Sequence, residues 1–140
     1  MKIFFVIVCF FLFSCSFAND KIPIELLKVQ DGDTVRVKID TGNKFNIRLQ
    51  GIDCFEVVKI HRAYRQAYLE NLTIDEVIKK GNIAKKYLEK LSKNAKSFSF
   101  EFRGVDKYGR VLGNLFFDDI NINQKMLNNG YCMEYVIKEK

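Results

Sequence analysis

The chain has one histidine, one proline and no tryptophan, and each scarcity narrows what it can be. His61 and the two cysteines that follow residue 15 cannot build a zinc or iron site without recruiting carboxylates. His61 itself, in a helical stretch beside Arg62 and Arg65, reads as a surface residue. A single proline, with no repeat, linker or low-complexity segment, excludes a collagen-like, disordered or repeat architecture. The longest apolar run, Ile3 to Phe13, has 11 residues. That is too short for a permanent helix across a bilayer core of roughly 30 Å. What is present is ordinary: 140 residues, 48% of them hydrophobic, which suits one globular domain.

Met1-Lys2, the apolar run and Ser14-Cys15-Ser16-Phe17-Ala18 follow the order of an export signal, with cleavage expected after Ala18. An alternative takes Leu12-Phe13-Ser14-Cys15 as a lipoprotein box with Cys15 acylated, although Phe13 fits that box poorly. Either way the expected location is outside the cytoplasm, secreted or periplasmic. Removing residues 1–18 takes away Lys2 and no acid, so the formal charge falls only from +6 to +5. The folded part is therefore basic, which favours a polyanionic partner. Cys54 and Cys132 remain in an oxidising compartment, where they form either one disulfide or two buried thiols.

Ile24 to Val29, Val35 to Ile39 and Phe45 to Leu49 read as three strands in a meander, with alternating apolar and polar positions in the last two and turns at Asp31-Gly32-Asp33 and Asp40 to Asn43. Ile60 to Leu72 reads as a helix. The capping box Thr73 to Glu76 predicts a second, short helix ending near Gly81. A third is expected to pack through Ile83, Tyr87, Leu88 and Leu91. Phe98 to Arg103 and Arg110 to Phe117 form a hairpin, followed by a short helix over 121–129 and an extended tail over 131–137. This order predicts a mainly β, α+β fold: a five-stranded OB-type Greek-key barrel with packed helices over residues 19–140. Residues 57–80 exceed what a minimal barrel needs and read as a helical insertion.

Asp33, Arg48, Asp53, Glu56 and Arg110 all fall at strand ends and turns. Carboxylates as crowded as Asp53 and Glu56 repel one another unless a cation binds them. Their hard oxygens suit calcium or magnesium; the competing reading is a structural salt bridge to Arg48 or Arg110. Lysines 79, 80, 85, 86, 90, 93 and 96 read first as a solvated helix face, and Tyr64, Tyr68, Tyr131 and Tyr135 have the capacity to stack on bases, although most of them read as packing residues.

Three strings, Val29 to Val35 (VQDGDTV), Ile47 to Glu56 (IRLQGIDCFE) and Asp106 to Arg110 (DKYGR), resemble in order the signature segments of the thermonuclease, or staphylococcal nuclease-like, family. The resemblance implies Asp33 and Asp53 as calcium ligands with the Cys54 backbone carbonyl. It implies Glu56 as the residue that orients or deprotonates water, and Arg48 and Arg110 as the groups on the phosphate. Lys107 and Tyr108 would line the nucleotide pocket. The implied activity is metal-dependent hydrolysis of DNA and RNA to 3′-phosphate products by an endonuclease, with a non-catalytic OB-fold nucleic-acid-binding module as the alternative. No protein partner and no transmembrane helix in the mature chain are expected, and a monomer is. The chain departs from the family where Cys54 replaces the usual threonine and Phe55 the usual proline, and it stops at Lys140 without the family's final helix. Phe55 removes a φ constraint just before Glu56, and a Cys54–Cys132 bridge would restore rigidity there.

Overall fold

The computed structural model describes residues 21–135. The expected export signal over 1–18 and the last residues of the extended tail lie outside them.

The alternating segments form β1 (Lys21–Pro23), β2 (Glu25–Val29), β3 (Thr34–Lys38), β4 (Lys44–Leu49) and the short β5 (Ile52–Cys54). Helices α1 (His61–Glu70) and α2 (Ile74–Asn94) follow. Strands β6 (Phe98–Val105), β7 (Val111–Phe117) and β8 (Ile120–Asn121), helix α3 (Ile122–Asn128) and strand β9 (Cys132–Glu134) complete the order. The main sheet runs β1-β6-β7-β4-β3-β2, with β8 added to β7, and among the described residues its only parallel pairing is β4 with β7. Only Ile24 separates β1 from β2 in the chain, and its N–H donates to the Phe98 carbonyl at 3.0 Å. The two ends of the strand path are thus consecutive in sequence, so the sheet curls on itself in the OB-type order expected from the alternation.

Val35, Val37, Ile47, Leu49, Leu115 and Phe117 point inward and meet Leu88 of α2 and Ile122 and Met126 of α3. Burying a side chain of this size is worth about 1.5–3 kcal/mol, and this continuous cluster is the main cohesive element of the fold.

The helices depart from the sequence expectation. One 21-residue helix replaces the two expected between Thr73 and Lys96, and Gly81 lies inside it. The Thr73/Glu76 capping box does start it, with the Glu76 carboxylate accepting the Thr73 N–H at 2.7 Å and the Thr73 hydroxyl accepting the Glu76 N–H at 3.2 Å. Gly81 serves contact instead of termination. A Cβ there would collide with the Glu56 carbonyl and stand 2.7 Å from that of Phe55. The buried stripe is Val77, Gly81, Ala84 and Leu88, while Ile83 turns out to solvent. Small residues, by permitting close approach, set which face packs. Tyr87 stacks on Tyr131 with ring centroids 4.0 Å apart, so this pair is used in packing, whereas Tyr64, Tyr68 and Tyr135, against the packing expected of most of these tyrosines, are exposed. Among the described residues no helix is long and apolar enough to cross a membrane.

Candidate active site

Strand β4 sends Ile47 and Leu49 into the core, and period-two alternation puts Arg48 on the other face, in register with Thr34 of β3. The turn between β2 and β3 is held by the Asp31 carboxylate, which accepts the Asp33 N–H at 3.0 Å. It is pinned to β4 where the Asp33 carbonyl accepts the Leu49 N–H at 2.8 Å. Gly32 at its centre presses on Ala84 and on Cys54; a Cβ would stand 2.9 Å from the Cβ of each. No side chain fits, which gives the glycine of the DGD string a steric reason.

This packing sets Asp33 and Asp53 around one buried guanidinium. Arg48 ion-pairs with Asp33, and its Nη2 lies 3.1 Å from Asp53 Oδ1 and 3.3 Å from the Ile52 carbonyl, to both of which it donates. The second oxygen of Asp33 accepts the Cys54 N–H at 2.6 Å. Cys54 is directly opposite Cys132 across the β5–β9 ladder, their Cα atoms 4.3 Å apart and their sulfurs joined in a disulfide.

Glu56 lies just beyond β5, half-buried. Arg62 of α1 spans the two acids, its Nε 3.2 Å from Glu56 Oε1 and its Nη2 ion-paired with Asp53. Arg110 stands at the start of β7, beside the parallel pair Ile47–Val111, with its Nε donating to Asp106 Oδ2 at 2.7 Å. The ring of Tyr108 is 5.5 Å from the Arg110 guanidinium and 5.1 Å from the Lys107 ammonium, and is 72% exposed. A cleft of about 350 Å³ is lined by Asp31, Asp33, Arg48, Glu56, Arg62 and Arg110, with Gln30, Thr34, Asn46 and Ile60. His61 begins α1 and is exposed.

Burial pushes the carboxyls of Glu56 and Asp31 up from their ordinary values, against the pull of Arg62 on the first and of Arg48 on the second. Burial, with Arg62 beside it, likewise lowers Arg48 from the arginine value, although an arginine stays charged at any working pH. Four carboxylates (Asp31, Asp33, Asp53 and Glu56) thus face the guanidinium groups of Arg48 and Arg62, a net formal charge of −2 once the Arg110–Asp106 pair is set apart, although the two arginines between them reach Asp33, Asp53 and Glu56. Among the described residues no three acidic, histidine or cysteine side chains converge to form a ready-made metal cage. The donor chemistry, hard carboxylate oxygens and the Cys54 carbonyl with a double negative excess, fits a divalent cation of the calcium class.

A model of the staphylococcal nuclease homologue family matches residues 46–140. The chain belongs to that family. No curated protein matches it. As a staphylococcal nuclease homologue it is a nuclease-type or nucleic-acid-binding module. The matched span takes in Arg48, Asp53, Glu56 and Arg110, while Asp33 precedes it and reaches the cleft through the β2–β3 turn. Two participants in this staphylococcal nuclease homologue, Arg62 and Gln66, escape a reading of the charged strings because they sit in α1. The available signal is a glutamine within the apolar face made by Ala63 and Ala67, and Gln66 is indeed buried with them.

Proposed function

We propose that the protein is an exported, calcium-dependent phosphodiesterase that hydrolyses DNA and RNA to 3′-phosphate products. One observation carries the reading: Glu56, Arg48 and Arg110 share the walls of a single cleft. A phosphodiester resists attack because its own charge repels the nucleophile, so a catalyst must neutralise its oxygens and place a water in line. Arg48 and Arg110 supply planar, permanently charged forks suited to two phosphate oxygens. Glu56, in a half-buried site that raises its affinity for a proton, orients or deprotonates the attacking water. Asp33, Asp53 and the Cys54 carbonyl would hold the calcium ion. When bound, the ion would add positive charge beside the phosphate oxygens. Lys107 and the exposed ring of Tyr108 would line the nucleotide pocket, with contacts to phosphate and unstacked bases that carry little base specificity.

The test is cleavage of single-stranded DNA and RNA by the purified mature domain, with calcium or with chelator, beside Glu56→Gln and Arg110→Ala. Each substitution is expected to lower turnover about a hundredfold or more, and chelation to abolish it. Tight binding without cleavage under any metal would favour the binding module instead.

A further inference from the structure

We infer that Gln66 is a positioning residue for the reaction, fixing the backbone that carries Glu56. The inference rests on the reading of Glu56 as the group that handles the attacking water. Gln66 is only 6% exposed, and both ends of its amide are used on one short segment. Its Nε2 donates to the Cys54 carbonyl at 2.9 Å and its Oε1 accepts the Glu56 N–H at 2.9 Å. That is the pair of bonds a neighbouring strand would make to residues 54 and 56, supplied here by a side chain.

The segment needs such a partner. Strand β5 ends at Cys54, so Glu56 lies past the last ladder pair with β9. Phe55 leaves φ free at the step between them. From another side α2 closes on the same short segment, with Gly81 against the Phe55 and Glu56 carbonyls. The segment is gripped between an amide and a helix backbone. One turn before Gln66, Arg62 of the same helix pairs with the Glu56 carboxylate. Helix α1 therefore touches Glu56 at both its backbone and its side chain. Gln66 is uncharged and does not line the cleft, so it acts on the reaction through the backbone it holds: the Glu56 N–H and, at the other end of the amide, the Cys54 carbonyl assigned to the calcium ion. This gives the helical excursion over 57–80 a task that a minimal barrel would leave undone.

The experiment compares Gln66→Met, which keeps the shape and removes both hydrogen bonds, in the wild-type and Glu56→Gln backgrounds. Turnover of single-stranded DNA is measured with calcium, alongside thermal melting. A misplacement on the order of 1 Å costs up to roughly a hundredfold, so kcat is expected to fall about ten- to a hundredfold with KM little changed. In the Glu56→Gln background, at saturating calcium so that a change at the Cys54 carbonyl does not limit turnover, the same change is expected to have almost no further effect, because its route through Glu56 is gone. A merely structural glutamine would lower activity equally in both backgrounds, and that result overturns the inference. Wild-type kcat in Gln66→Met, with Glu56→Gln inactive, overturns it while leaving the proposed function standing. Full activity in Glu56→Gln removes the function assigned to Glu56 and the inference with it. If Gln66→Met does not fold, Gln66→Asn, whose amide is one carbon too short to bridge both groups, is put through the same comparison with the same expectations.

Discussion

Arg62 holds two carboxylates at once, Asp53 and Glu56, the acids proposed above as a calcium ligand and as the group that handles the water. A guanidinium in that place competes with a cation for the same negative charge. At a separation of roughly 6–8 Å and an effective dielectric of about 60–80, a +1 and a +2 charge repel by about 1–2 kcal/mol. Arg62→Gln is therefore expected to tighten calcium binding by about tenfold at low salt, with the gain shrinking as salt rises. Calorimetric titration with calcium at two ionic strengths measures this; a dissociation constant that stays the same or weakens removes Arg62 as a competitor. The contrast between Arg62 and Arg48 also explains what the sequence discloses at this scale. Asp33, Arg48, Asp53, Glu56 and Arg110 stand in short charged strings at strand ends, where a charge is conspicuous. Arg62 and Gln66 occupy helical positions among Tyr64, Arg65 and Glu70, where polar residues are the rule and only the fold turns two of them inward.

Helix α2 shows a local signal overruled by packing. Glycine costs a helix about 1 kcal/mol relative to alanine, which makes a stop near Gly81 a reasonable expectation from sequence. The helix continues because the missing Cβ is what allows it to lie against Phe55 and Glu56, a contact no local pattern reveals. Gly81→Ala sets these two effects against each other. Propensity favours alanine by about 1 kcal/mol, but the obstructing atoms are backbone and cannot swing aside, so overpacking should cost about 3 kcal/mol. A net loss near 2 kcal/mol in denaturant unfolding is expected, and a stabilised variant would mean the 55–56 segment yields easily. Where α2 hands over to β6, the Asp118 carboxylate accepts the N–H groups of Lys96 and Ser97 and the Ser97 hydroxyl at 2.8–3.1 Å. The backbone bonds to Lys96 and Ser97 hold its pKa below the usual 3.8. A depressed folded pKa contributes stability that is present above the unfolded value and lost as pH falls through the folded one. Melting curves of wild type and Asp118→Asn should therefore differ most above pH 4 and converge in stronger acid. A gap that persists unchanged to low pH would show that the charge is not what matters.

Across the whole molecule, the barrel was legible because its long strands alternate cleanly and their order admits few closed topologies. The short strands were not. Three residues of β5 and three of β9 carry no readable period, and their pairing joins segments that only the curled sheet brings together. So small a ribbon is marginal by itself, and the Cys54–Cys132 bridge sits at its end, closing a sequence separation of 78 residues. Constraining a loop of that length stabilises a domain by about 3–4 kcal/mol, much of it through the unfolded chain. In a domain of this size, reduction with a phosphine should lower Tm by roughly 10 °C or more. The bridge also has a local consequence, because Cys54 lies between Asp53 and the Phe55–Glu56 step. Loss of activity is therefore expected at temperatures where the reduced protein is still folded by circular dichroism. If activity instead survives until the reduced protein melts, the hydrogen bonds from Gln66 and to Asp33 hold the segment unaided, and the bridge acts on global stability alone. If neither Tm nor activity changes on complete reduction, the β5–β9 ribbon owes its place to the barrel that surrounds it.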